Sequence, residues 1–218
     1  DFAQQKWLQL KPILIQEINK IKEAPSKNGL AEMIFHSFSV DHFSEEDILN
    51  LTKVLLLGGN ETTPNLVSSA LYILLKDKTL LTQVKNDLSL IDALINETLR
   101  LEAPTQIIER TTTEDVEIAG ILIPKNSAVS LAIGAANRDP RVFRTPNKFI
   151  LNREESKILS FGFGPHYCIG ARLARQEAKI ALEQLLTTFS NLRLTPNEII
   201  TYRHSSHIRG IKQLNLKI

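Results

Sequence analysis

The run Phe161-Gly-Phe-Gly-Pro-His-Tyr-Cys-Ile-Gly170 constrains this chain more than any other stretch. Gly162 and Gly164 stand at alternate positions ahead of Pro165, a spacing that predicts a tight, rigid turn whose backbone N–H groups converge on one point. The turn ends at Cys168, the only cysteine in 218 residues. From Ala171 onward the sequence is strongly helical, so the sulfur stands ahead of a helix start, where the dipole and unpaired amides stabilise negative charge. Gly170 leaves room for something flat to lie close to that first turn. On spacing alone, a lone cysteine in a chain of mixed composition also reads as a small buried hydrophobe. Structural zinc is a poor rival, since it takes four ligands and only His166 stands nearby. A dinucleotide loop fails too, because Tyr167 occupies the place of the third glycine.

The remaining composition sets limits. With 43% apolar and 23% charged residues the chain is globular material able to bury one core, so a single domain over 1–218 is expected. A balance of 26 basic against 24 acidic residues argues against a nucleic-acid binder or a general membrane-surface protein. One cysteine rules out a disulfide framework, and no apolar run reaches the roughly 18 residues of a membrane span, which together suggest a reducing cytoplasm. The sequons at Asn50, Asn60 and Asn96 fall in predicted helices and read as chance. The chain opens at Asp1 and its only methionine is Met33, so an upstream segment is expected in the natural product.

Trp7, Leu10, Leu14, Ile18 and Ile21 recur at helical spacing and predict one amphipathic helix over 2–23; a shorter one is expected over 30–38. His36 and His42 have no partners at ligand spacing and read as surface or packing residues. Ser44 and Asp47 mark a capped helix start, and that helix is expected to reach about Lys76. Its middle, residues 54–64, is apolar all round before Gly58 and Gly59, which predicts burial and places Glu61 and Thr62 in a buried region. The two glycines equally allow mere close packing, with Glu61 solvated. Pro64 removes the N–H that would bond the Asn60 carbonyl, so the ladder is expected to open there.

A short helix and connection over 77–90 lead to a strong helix over 90–101, stopped by Pro104, with Glu97 and Arg100 on one face. Short β signals follow at 107–111, 116–119, 121–123 and 128–133, with tight turns at Ala119-Gly120 and 124–126. The helix after Cys168 is expected to end near Phe189, with hairpin strands at 192–194, 199–203 and 208–216.

The full pattern F-G-x-G-x-H-x-C-x-G resembles the haem-thiolate signature of the cytochrome P-450 family. The resemblance covers nearly the whole chain but only the later part of much longer family members. It implies a mainly α fold with a small β portion, the C-terminal half of the cytochrome P-450 architecture. Cys168 is then the axial iron ligand of haem b (iron protoporphyrin IX), whose thiolate donation favours O–O cleavage. Phe161 shields the sulfur, Gly162, Gly164 and Gly170 shape the loop, and His166 and Arg110 reach the haem propionates. Gly58 lines the oxygen cleft, with Glu61 and Thr62 as an acid–alcohol pair that relays protons. Residues 146–153 fit P-x-x-F-x-x-x-R, so Glu97, Arg100 and Arg153 resemble the family's structural salt-bridge triad, a register device more than a source of net stability.

The turn at 205–210 resembles the loop that reaches the substrate pocket, with Ile208 joined there by Ile107, Ile108 and Leu57. The activity implied is insertion of one atom of O2 into an apolar small molecule, with electrons from NAD(P)H through a ferredoxin- or flavodoxin-like donor. Arg172 and Arg175 either offer that donor an exposed basic face or are solvated helix residues or members of intramolecular pairs. A truncated, catalytically silent haem-binding remnant is the alternative. A peroxide-using relative is a third reading, disfavoured by the presence of both Glu61 and Thr62.

Overall fold

The computed structural model describes residues 2–23, 29, 32, 36, 43–154 and 157–218. The chain divides into two compact units, Asp1–Gly58 and Gly59–Ile218.

The first unit holds α1 (Phe2–Glu23) and the N-terminal part of α2 (Glu45–Lys76). The reciprocal cap predicted at Ser44 forms: its N–H donates to Asp47 Oδ2 at 3.0 Å, and the Asp47 N–H donates to Ser44 Oγ at 3.2 Å. The hydrogen bond from the Ser44 hydroxyl, then that from its amide, holds the Asp47 carboxyl below its ordinary range. Ile18 of α1 is buried with Ile48 and Leu49 of α2, flanked by Trp7, Leu14, Ile15 and Ile21. Lys53 sits 4.3 Å from the Trp7 ring centroid and closes that face. The helix expected over 30–38 lies outside the described residues apart from Glu32 and His36, as does His42.

The expected burial before the glycine pair is not observed. Val54 is 59% and Leu57 65% exposed, and Gly58, Gly59, Asn60 and Glu61 are exposed as well. Apolar residues on every side of a helix do not say which neighbour covers them. Within this unit α1 covers the face bearing Ile48 and Leu49, and Val54 and Leu57 lie on the other side of α2. Pro64 costs the ladder one bond but does not end the helix, which continues to Lys76.

The second unit begins with the remainder of α2 and continues into α3 (Lys78–Asn86), whose N-cap Asp77 accepts from the Thr79 and Leu80 amides at 2.9 and 3.0 Å. Next comes α4 (Ile91–Leu101), with a strongly one-sided apolar pattern. One core joins these helices to α6 (Ala171–Thr188): Leu66, Leu71 and Leu74 meet Leu80, Val84, Leu94, Ile95 and Leu99, with Ala178, Leu182 and Leu186 opposite. Each fully buried aliphatic side chain here contributes about 1.5–3 kcal/mol relative to exposure.

Among the described residues the β portion comprises three separate two-stranded antiparallel ladders. β1 (Ile107–Thr111) pairs with β4 (Ala128–Ala132), Ile107 opposite Ala132. β2 (Val116–Ile118) pairs with β3 (Ile121–Ile123) across Ala119-Gly120, where φ values of 53° and 79° make the doubly left-handed turn that suits a two-residue hairpin. Ile133, expected to end a strand, instead opens the short helix α5 (Ile133–Ala136). The C-terminal hairpin strands shrink to β5 (Arg193–Leu194) paired with β6 (Leu216–Lys217), plus isolated bridges at Tyr202–Ile211 and Thr105–Ile208. Alternating hydrophobicity was present, but only the Arg203–Gly210 and Lys212–Thr201 bonds pair the two arms, while Arg209 and His207 bond Pro104 and Gln106 instead.

Candidate functional site

The loop ahead of α6 is tight for the reason its sequence suggests. Gly162 and Gly164 both take positive φ, 75° and 64°, which side chains other than glycine rarely adopt. A Cβ on Gly162 would also stand 3.2 Å from the His166 carbonyl oxygen. The Cys168 N–H donates to the Phe161 carbonyl at 2.8 Å and closes the loop, and the Gly162 N–H donates to Leu159 at 2.8 Å. Gly164–His166 form a single 3-10 turn, and Gly170 caps α6.

The result is an exposed thiol. Around it Phe163 is 84%, Ile169 71% and Leu173 62% exposed, so the sulfur sits within an apolar surface rather than a polar one. Phe161 is half-buried, its ring packed against the main core and 6.4 Å from the Tyr167 ring. A Cβ on Gly170 would lie 3.9 Å from Sγ, in contact with the sulfur, so glycine there keeps its surroundings open.

Behind the loop stands a sealed ion cluster. Glu97 on α4 is 3% exposed and Arg100, one turn on, is fully buried. Arg100 donates Nε to Glu97 Oε2 at 2.8 Å and Nη2 to Oε1 at 2.7 Å, while Arg153 Nε lies 3.1 Å from both oxygens. The other Arg100 donors reach the carbonyls of Asn137, Pro146 and Lys148 at 3.0, 2.6 and 3.0 Å, so all five N–H groups are used. The Ile150 N–H adds a fourth donor side to Glu97 at 3.0 Å. Three side chains thereby tie α4 to the 144–153 segment with their polar groups satisfied, the condition under which buried charge is tolerated.

Asn137 braces the loop, a role that sequence reading did not assign to it. It is fully buried, donates Nδ2 to Ser160 Oγ at 2.8 Å and accepts the Leu159 N–H on Oδ1 at 2.7 Å. Ser160 in turn donates to the Leu99 carbonyl at 2.6 Å. The entrance to the cysteine loop is therefore bonded to α4 and to the end of α5. The only local signal was an asparagine in an otherwise apolar run, Ala135-Ala-Asn137.

Other predicted residues are placed as follows. His166 is exposed in the 3-10 turn, and Arg110 is exposed on β1 opposite Val129 with Nη1 on the Glu109 carbonyl at 2.8 Å. Ile107 and Ile108 are half-buried on β1, and Ile208, also half-buried, bridges Thr105 beside them. Glu61 is exposed and Thr62 half-buried, on consecutive positions of α2. Gly58 and Leu57 belong to the first unit. Arg172 is exposed, whereas Arg175 departs from the expected open basic face: its guanidinium lies 5.0 Å from the Phe161 ring centroid and bonds Asn96 of α4. Burial there pulls its pKa down from the ordinary arginine value.

Among the described residues no group of three or more His, Cys, Asp and Glu side chains could hold a metal ion. A haem would find one protein donor here, the Cys168 thiol, and the exposed apolar side chains and open glycine positions would suit a flat apolar ring system. Among the described residues no helix is long and apolar enough to cross a membrane.

The sequence model of the family Cytochrome P-450 matches residues 6–216. Cytochrome P-450 109 of Bacillus spizizenii is 35% identical over 202 residues, 92% of this chain and 50% of its own length. The biotin biosynthesis cytochrome P-450 of Bacillus subtilis is 36% identical over 90% of this chain and 49% of its own. The crystal structure of CYP109E1 from Bacillus megaterium in complex with testosterone superposes with a TM-score of 0.91 at 29% identity, covering 99% of this chain and 60% of that one. The chain spans about half the length of the curated relatives it matches. From the cysteine loop to the ion cluster behind it, and along nearly its full length, the chain belongs to the cytochrome P-450 family.

Proposed function

We propose that this chain carries the thiolate side of a haem-thiolate monooxygenase acting on an apolar small molecule. The observation that supports it most is the exposed Cys168 thiol on a rigid glycine-built loop, braced from behind by the Glu97 cluster and Asn137. Haem b, when bound, supplies the redox chemistry that activates O2, and the protein supplies ligand, orientation and exclusion of water. Cys168 Sγ is the iron ligand. Arg110 provides a cation and His166 a hydrogen-bonding ring for the propionates, and Phe161 holds an apolar wall on the sulfur side.

Glu61 and the Thr62 hydroxyl are the proton-handling pair: a carboxyl that exchanges protons with water, followed by a hydroxyl that both donates and accepts. Ile107, Ile108 and Ile208 supply apolar contacts to substrate. Their character agrees with the ligands named for two structural neighbours, testosterone in one and a hexadec-9Z-enoic acid carried on acyl carrier protein in the other. Electrons come from NAD(P)H through a ferredoxin- or flavodoxin-like donor, for which Arg172 is the exposed cation after the ligand loop. A thiol kept reduced fits a cytoplasmic setting.

The exposed Val54, Leu56 and Leu57 favour a second reading, a haem-binding but catalytically silent chain. Spectra and turnover separate the two. The reduced, haem-loaded protein treated with carbon monoxide is expected to give the red-shifted Soret band of thiolate ligation, lost in Cys168→Ala. With a surrogate electron donor, Thr62→Ala is expected to keep that band but divert reduced O2 to peroxide or water. No band in the parent protein rejects both readings, and a band without turnover leaves the silent one.

A further inference from the structure

A second ion cluster lies in the same unit, away from Glu97, and its centre is Glu102. This residue follows α4, and its side chain is 18% exposed. Arg209 donates Nε to Glu102 Oε2 at 2.5 Å, and Arg138 donates Nη2 to Oε1 at 3.4 Å and to the Leu101 carbonyl at 2.6 Å. The Arg209 guanidinium also lies 3.8 Å from the Tyr202 ring centroid, so the cation is held between a carboxylate and an aromatic face. Burial first, and the Glu102 carboxylate second, push the Tyr202 phenol above its ordinary value and keep it neutral.

The backbone around Arg209 is docked with equal care. Its N–H donates to the Pro104 carbonyl at 2.7 Å, the Gln106 N–H donates to His207 at 2.7 Å, and the Arg203 N–H donates to Gly210 at 2.9 Å. Gly210 presses on the Asn65 side chain of α2, leaving no room for a Cβ. Between these fixed points stands Ile208, paired with Thr105 and two residues in register from Ile107. The rest of the turn offers little apolar anchorage, since Ser205, Ser206 and His207 are exposed. What holds the turn against residues 102–106 is therefore two backbone bonds and the Arg209–Glu102 contact, with His207 Nε2 3.4 Å from Glu109 Oε1 on β1, while the Arg203–Gly210 bond closes the turn on itself.

We infer that Glu102 is a positioning residue which, through Arg209, sets where Ile208 stands and so determines the size of apolar ligand the protein accepts. The inference rests on Ile208 facing the substrate, as in the function proposed above. Removing the carboxylate leaves the guanidinium stacked on Tyr202 without its anionic partner and frees the turn to move relative to β1.

The test uses Glu102→Gln and Arg209→Gln in the haem-loaded protein, with two probes that ligate iron through the same nitrogen. Imidazole is too small to sense the turn, and 4-phenylimidazole adds an apolar ring that does. Both variants are expected to leave imidazole affinity unchanged and to lower the preference for 4-phenylimidazole by about fivefold, the size of a coupling between contacting groups. Amide hydrogen exchange is expected to quicken about tenfold at Gln106 and Arg209, with α4 and α6 amides unchanged. An unchanged ligand preference, or exchange at Gln106 and Arg209 as slow as in the parent, overturns the inference. Equal loosening of α4 and α6 overturns it as well, since Glu102 would then be a general determinant of the fold. If the parent protein gives no imidazole spectrum, the proposed function has failed, while the exchange arm still decides whether Glu102 positions the turn.

Discussion

Around Glu97 three charged side chains are sealed from water and every Arg100 donor is used, whereas Cys168 is left exposed, with Phe163, Ile169 and Leu173 exposed near it in the chain. The first region has no partner left to find. The second has an exposed thiol, exposed apolar side chains and glycines at positive φ. The two are joined through Asn137, which bonds both Arg100 and the residues that lead into the loop. Stability is thus placed beside the site and chemistry at it, so that substitutions in the two regions should separate cleanly into folding and ligation effects.

The largest test of that separation is Glu97→Ala. It leaves two guanidiniums without their shared anion and is expected to cost about 3–5 kcal/mol, read from urea unfolding. Cys168→Ala should shift the same unfolding curve by no more than about 0.5 kcal/mol while abolishing the thiolate spectrum. A cysteine substitution as destabilising as the glutamate one would mean that the thiol is a core residue after all. Asn137→Ala probes the join and is expected to cost about 2 kcal/mol, because the Leu159 amide loses its acceptor and the Ser160 oxygen loses a donor. It should also broaden the Soret band, which Glu97-independent surface changes should not do.

The smallest expected effect lies at Asp139, whose carboxylate receives the Arg141 Nε, Nη2 and backbone N–H and is held at about 2 against an ordinary 3.8. A depressed carboxyl contributes stability that is present above pH 3.8 and is lost as pH falls through about 2. Its partner Arg141 is 87% exposed, so the contribution is small and screened by salt. Carboxyl NMR should place its titration near 2 in the parent protein and return it toward 3.8 in Arg141→Ala; identical titrations in both would remove the ion pair from the explanation.

Features written in local sequence were legible. The Ser44–Asp47 cap, the Ala119-Gly120 hairpin, the ends of β1 and β3 and the stop of α2 at Lys76 each follow from neighbours a few residues apart. The cysteine loop belongs with them, since its glycines, proline and following helix are contiguous. The Glu97 cluster was legible only through a family resemblance, because Arg153 is 56 positions from Glu97. The Glu102–Arg209 pair spans 107 positions and announced itself by nothing local. Likewise the alternation at 199–203 and 208–216 predicted strands, but backbone bonds to residues 104–106 claimed part of that segment instead. The apolar run at 54–57 was visible, and its exposure was not, since hydropathy reports preference for burial and not the presence of a neighbour.

The sulfur-to-iron bond is measured most directly by iron-edge X-ray absorption on the haem-loaded protein. One sulfur neighbour is expected beside the four porphyrin nitrogens in the parent protein, replaced by a lighter atom in Cys168→Ser. An iron shell of nitrogen and oxygen alone in the parent, unchanged by the substitution, would contradict the assignment of Cys168 as the ligand.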